Sequence, residues 1–139
     1  MATTSVSRTV PASPEHVWGL IGGFGSLPDW LPFIPESNLV EGGRVRQLRT
    51  PDGEVIAERL VAFDETERSY SYRIEAAPFP VVGYIATIRV YEVAGHDDLA
   101  EVQWSARFTP SGAATEQEVV ELFTGIFRDG LDALNDALV

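Results

Sequence analysis

The sequence predicts an α+β fold in which a curved, seven-stranded antiparallel sheet wraps a long C-terminal helix, with two short helices after the first strand. Three observations carry this. Thr115-Glu116-Gln117-Glu118 matches a capping box and opens an apolar repeat of Val119, Leu122, Phe123, Ile126, Phe127, Leu131, Leu134 and Leu138 at three- and four-residue spacing. Between residues 36 and 109 the apolar period drops to two. Turn signals at Glu41-Gly42-Gly43, Pro51-Asp52-Gly53, Asp64 to Glu67 and Gly95 to Asp98 divide that stretch.

In chain order, Val6 to Val10 reads as the first strand. Ser13-Pro14-Glu15 then supplies an N-cap, a first-turn proline and a first-turn acid for a short helix that stops at Gly22-Gly23. Residues 24 to 35 carry three prolines, so only one more helical turn is expected, around Leu27 to Leu31. Six strands follow near 36 to 41, 44 to 50, 54 to 63, 68 to 76, 84 to 94 and 100 to 109, and the long helix closes the chain. No repeat or linker interrupts the pattern, so residues 1–139 are expected to form one domain.

Composition narrows the function classes. A 15.2 kDa chain that is 45% hydrophobic and 22% charged has the mix of a globular domain. Surface scaling gives roughly 7,000 Å² exposed when folded against roughly 22,000 Å² unfolded, enough burial to need no staple. With no cysteine there is no disulfide, thiolate metal site or cysteine nucleophile, and a cytoplasmic location is expected. A formal charge of −11, spread along the chain, repels nucleic acid and anionic lipid. All ten bases are arginine, which excludes a lysine Schiff base. No apolar run approaches the ~20 residues of a membrane span, and Met1 to Arg8 lacks the apolar core of a signal peptide.

A strongly bent sheet cannot fill all the space beneath one helix, so a cavity is expected between them. Strand parity names its wall. Tyr70, Tyr72 and Ile74 share one face, as do Tyr84, Ala86, Ile88 and Val90, and Val102, Trp104, Ala106 and Phe108.

The order of elements, together with Pro14-Glu15-His16-Val17-Trp18, Trp30-Leu31-Pro32, Glu58-Arg59-Leu60 with Asp64, Tyr72, Pro80-Val81, Tyr84, Trp104 and Pro110, resembles the START-like, or Bet v 1-like (SRPBCC), superfamily with its helix-grip fold. Within it the chain is similar to the bacterial polyketide cyclase/dehydrase-like group, and the resemblance covers nearly the whole chain. The plant abscisic acid receptors share the layout. By that comparison Pro51-Asp52-Gly53 falls at a gate loop and Phe79-Pro80-Val81 at a latch loop, Glu58 and Tyr84 match pocket residues, and Leu122, Ile126 and Gly130 fall on the pocket face of the last helix. Leu31 replaces the lysine those receptors use against a ligand carboxylate, and the gate and latch sequences differ, so neither a hormone-like acid nor phosphatase docking is implied. An ungapped comparison of the last strand turns Gln103 and Ser105 inward, whereas parity turns Trp104 and Phe108 inward, and a one-residue bulge would reconcile them. Burial of the apolar face favours parity.

The candidate ligand-contacting set is therefore Trp30, Leu31, Glu58, Tyr72, Ile74, Tyr84, Ala86, Trp104, Phe108, Leu122, Ile126 and Gly130. Glu58 shares inward parity with Ile56 and Leu60, where desolvation would raise its pKa and make it the candidate catalytic proton donor or acceptor; the simpler alternative is a hydrogen-bonded rim residue. Arg59 has outward parity and is expected to pair with acids, while the resemblance to aromatase/cyclases implies, as the alternative, a ketone-polarising arginine at Arg59 or, more weakly, at Arg73 or Arg107. Tyr72 and Tyr84 can each aim a phenol at a ligand carbonyl or serve simply as core. His16 and His96 lack a second histidine at ligand spacing, and Gly22-Gly23-Phe24-Gly25 follows a helix rather than a strand, so no metal, dinucleotide or other cofactor is expected. Two functions remain: a pocket protein for a small hydrophobic or aromatic molecule, and a cyclase, aromatase or dehydrase acting on a poly-β-ketone. A chaperone-like protein-partner module is a third class, marked by a large exposed apolar patch. Monomer and homodimer are both compatible with the sequence.

Overall fold

The computed structural model describes residues 1–139. Seven strands, β1 (Ala2–Val10), β2 (Glu36–Val40), β3 (Val45–Arg49), β4 (Val55–Asp64), β5 (Ser69–Ala76), β6 (Val81–Val93) and β7 (His96–Pro110), form one antiparallel sheet in the order β1-β7-β6-β5-β4-β3-β2. Helix α1 (Pro14–Ile21) and a 3₁₀ turn (Leu27–Asp29) lie between β1 and β2, and α2 (Glu116–Leu138) ends the chain.

Local chemistry fixes the helix ends. The Ser13 hydroxyl accepts the His16 backbone N–H, with Pro14 in the first turn of α1. At α2 the Thr115 hydroxyl accepts the Glu118 N–H at 3.1 Å and the Glu118 carboxylate accepts the Thr115 N–H at 3.0 Å, closing a reciprocal box. Three strands start earlier than the sequence reading has them, β6 at Val81 rather than near 84 among them. β1 starts at Ala2, because alternation from Ala2 through Val10 pairs residue by residue with Phe108 to Ala100. The turn expected at 95 to 98 tightens, with Val93 opposite His96 and Gly95 at φ 80°, so β7 begins at His96.

Curvature comes from irregular pairing. Register shifts between Ala57 and Glu58 and between Leu60 and Ala62 break the β4–β5 ladder, and another lies between Val82 and Ile85 against β7. Such bulges bend the strand and increase its twist. The concave face closes on α2, whose buried stripe is Val119, Phe123, Phe127, Leu131 and Leu134. Thr4 to Thr124 and Arg8 to Asp132 tie β1 to that helix. α1 caps the other end through Val17, Trp18 and Ile21, and the Trp18 indole donates to Glu65 at 3.0 Å. The folded surface is 7248 Å², close to the value the mass implies.

Candidate functional site

A cavity of about 300 Å³ lies between the concave face and α2. The sheet contributes Leu48, Ile56, Tyr72, Ile74, Tyr84 and Trp104, and α2 contributes Phe123, Ile126 and Phe127. Leu27, Leu31, Phe33 and Ile34 close a third side from the segment after α1, and Phe79 comes from the stretch before β6. Arg46, Thr50, Glu58 and Asp129 are the polar members, with Asp129 exposed.

The charged pair among them is buried. The β3–β4 hairpin sets Leu48 opposite Ile56 and Arg46 opposite Glu58, so both charges share the inward parity of the apolar pair. Arg46 is 0% exposed and Glu58 8%. Arg46 Nε donates to Glu58 Oε1 at 2.8 Å, and its Nη1 donates to the Phe24 carbonyl at 3.1 Å and the Tyr70 hydroxyl at 3.2 Å. The guanidinium also lies 4.3 Å from the Phe24 ring centroid and 4.7 Å from that of Tyr72. This set makes burial of a full positive charge tolerable.

Electrostatics follow from those contacts. Burial pulls the Arg46 pKa down, but Tyr70, Glu58 and Tyr72 outweigh it and hold the group above the ordinary arginine value, so it is always cationic. Burial raises the Glu58 carboxyl above its usual range, while the Arg46 charge and hydrogen bond restrain the rise. Tyr72 is pushed well above the usual phenol value by burial and then by Glu58, and Tyr84 by burial and then by Tyr72. Both are neutral phenols at physiological pH. The Trp104 indole donates to the Tyr72 hydroxyl at 3.1 Å, which leaves the Tyr72 proton available to another acceptor.

Of the sequence candidates, Leu31, Glu58, Tyr72, Ile74, Tyr84, Trp104 and Ile126 line the cavity. Five do not. Trp30 packs behind Trp104, with ring centroids 5.9 Å apart. Ala86, between Tyr72 and Ala106 in register, has a methyl that stops short of the space. Phe108 supports the wall from behind, 6.1 Å from Tyr84 and 5.1 Å from Phe123. Leu122 is 39% exposed because α2 is rotated so that Phe123 and Phe127 take the inward stripe. Gly130 touches the back of Trp104, where a Cβ would lie 2.7 Å from the ring.

Trp104 is buried and points inward. β6 and β7 pair without a shift from Ile85–Arg107 to Glu92–Ala100, so no bulge turns Gln103 in, and Gln103 instead accepts from Tyr91. Arg59 lies on the outer face between Glu41 and Glu75, and Arg73 pairs with Glu75 at 3.5 Å. The arginine of the cavity is Arg46, which sequence reasoning missed. The signal was present: the Pro51-Asp52-Gly53 turn sets the hairpin register that places Arg46 across from Glu58. An arginine at an inward position contradicts the expectation that such positions are apolar, and the pairing that resolves it is visible only across two strands.

Similarity to known proteins follows the same lines. The family model described as polyketide cyclase / dehydrase and lipid transport matches residues 1–139. XoxI from Bacillus cereus is 52% identical over 99% of this chain and 96% of its own, with a TM-score of 0.95. An uncharacterized protein from Bacillus thuringiensis is also 52% identical, over 99% of this chain and 98% of its own, with a TM-score of 0.96. The Zhui aromatase/cyclase from a Streptomyces species is 18% identical over 98% of this chain and 90% of its own, and its TM-score of 0.74 shows a shared fold. No curated protein matches the chain. With its helix-grip architecture and a family match that spans every residue, the chain belongs to the polyketide cyclase / dehydrase and lipid transport family.

Proposed function

We propose that the protein binds a small hydrophobic or aromatic molecule in the cavity between the sheet and α2. The observation that carries this reading is the cavity itself: about 300 Å³ with mostly apolar walls and a buried Arg46–Glu58 pair at its polar end. Ligand sites have this character, a largely apolar lining with a few fixed polar groups, and volumes from roughly 300 Å³ upward. Tyr84 and Trp104 supply flat contact area, and the Tyr72 and Tyr84 phenols supply neutral donors. No helix is long and apolar enough to cross a membrane, and the absence of cysteine favours the cytoplasm as the site of action. Native mass spectrometry of the protein purified from its own host, followed by denaturing extraction, tests the reading. A retained apolar or aromatic compound that is lost in Tyr84→Ala supports it, and a reproducibly empty cavity counts against it.

A second reading, a cyclase, aromatase or dehydrase acting on a poly-β-ketone, is favoured by the same charged pair. Arg46 is a permanent cation able to polarise a ketone oxygen, and Glu58 is a buried carboxyl whose pKa desolvation raises, the direction a proton-transfer group needs. Incubation with a poly-β-ketone separates the readings: turnover lost in Glu58→Gln supports catalysis, and an unchanged product removes Glu58 from any mechanism.

A further inference from the structure

We propose that the cavity selects a neutral ligand whose polar end carries a hydrogen-bond acceptor beside a donor, such as a carboxamide or a lactam, and discriminates against carboxylates. The proposal deepens the ligand-binding reading and rests on it.

Arg46 Nε is committed to Glu58 Oε1 at 2.8 Å, and Nη1 is divided between the Phe24 carbonyl at 3.1 Å and the Tyr70 hydroxyl at 3.2 Å. None of the Arg46 hydrogen bonds is made by Nη2. On the other side the hydrogen bond to Glu58 falls on Oε1, not Oε2. Both residues line the cavity, so it is presented with one charged donor and one charged acceptor from a pair whose net charge is zero.

A carboxamide answers both groups at once, its carbonyl accepting from Nη2 and its N–H donating to Oε2. Hydrogen bonds to ionised groups are the strong ones, and a buried unmet group is costly. A carboxylate would satisfy Nη2 but set a second negative charge against Glu58 in a low-dielectric space, with Asp129 the remaining charged residue of the lining. An ammonium reverses the problem, satisfying Oε2 while facing Arg46. Because Glu58 already neutralises Arg46, the buried arginine does not act as an anion receptor. The apolar body of the ligand lies against Tyr84, Trp104 and Phe123, and the volume suits a bicyclic ring system.

Three probes of one ring system test this: naphthalene, 2-naphthamide and 2-naphthoate, titrated into the wild-type protein and followed by tryptophan fluorescence. The expected order places 2-naphthamide about tenfold or more tighter than naphthalene, and 2-naphthoate no tighter than naphthalene. Glu58→Gln leaves Arg46 uncompensated, so its preference is expected to invert toward 2-naphthoate. If that variant does not fold, the wild-type order decides alone. Equal affinities for all three, or tighter binding of the carboxylate to wild type, would overturn the head-group assignment and leave the ligand-binding reading standing. Absence of binding by all three would overturn both.

Discussion

Arg46 is the residue on which the inner wall depends most. A buried ion pair contributes little net stability against apolar residues of similar volume, but removing one partner strands the other charge. Arg46→Met is therefore expected to cost about 3–5 kcal/mol in urea unfolding, and the double replacement Arg46→Met with Glu58→Leu to recover most of that loss. The deficit of the single variant has a defined pH dependence. Burial holds the folded-state Glu58 pKa above its unfolded value, so its favourable contribution is complete below the unfolded value and is lost as pH rises through the folded one. Without Arg46 that folded value climbs further, and the gap to wild type should widen from mildly acidic to neutral pH; a constant gap would contradict the pairing. Gly130 raises a second residue-scale point. An added Cβ gains about 1 kcal/mol of helix propensity, but it would sit 2.7 Å from the Trp104 ring, and overpacking costs about 1–3 kcal/mol. Gly130→Ala is expected to lower the melting temperature and to reduce ligand affinity, as the ring is pushed toward the cavity.

Among the elements, α2 shows how local and tertiary chemistry share the load. Its start is specified by the Thr115–Glu118 box, so Thr115→Ala should cost about 1 kcal/mol in thermal or urea unfolding. The hydrogen bonds from Thr115 hold the Glu118 carboxyl below the usual glutamate range. A depressed pKa contributes stability above the unfolded value and loses it as pH falls through the folded one. The melting-temperature difference between wild type and Glu118→Ala should accordingly shrink under acid; persistence of the full difference there would mean that the cap acts without its charge. The β3–β4 hairpin teaches a complementary lesson, since its turn sets the register and the register alone makes Arg46 and Glu58 neighbours.

For the molecule as a whole, the grip of sheet on helix runs through an aromatic cluster. Phe127 stacks on Trp104 with centroids 4.8 Å apart, and Phe123 meets Tyr84 at 4.9 Å and Phe79 at 5.2 Å. Phe127→Ala should cost about 3–5 kcal/mol, read as a shifted urea midpoint. A tightly bound ligand should recover part of that loss, since binding only the folded state raises apparent stability with concentration. The same cluster explains why the cavity is small. Four aromatic rings of the sheet and helix meet where a less bulky set would leave open space.

Much of this protein is written in short-range pattern. The period-two alternation, the capping box and the turn signals determined the strands, the helices and their order, because each is set by neighbours within a few residues. The inward facing of Tyr72, Tyr84 and Trp104 followed from parity for the same reason. Tertiary structure decided which inward residues reach the cavity. Phe108 and Ala86 are inward but stand behind or short of it, and the rotation of α2 chose Phe123 and Phe127 over Leu122. It also decided the polar end. An arginine is buried only where a carboxylate, a carbonyl and aromatic faces converge on it, and those partners come from positions 24, 58, 70 and 72, which no local pattern joins.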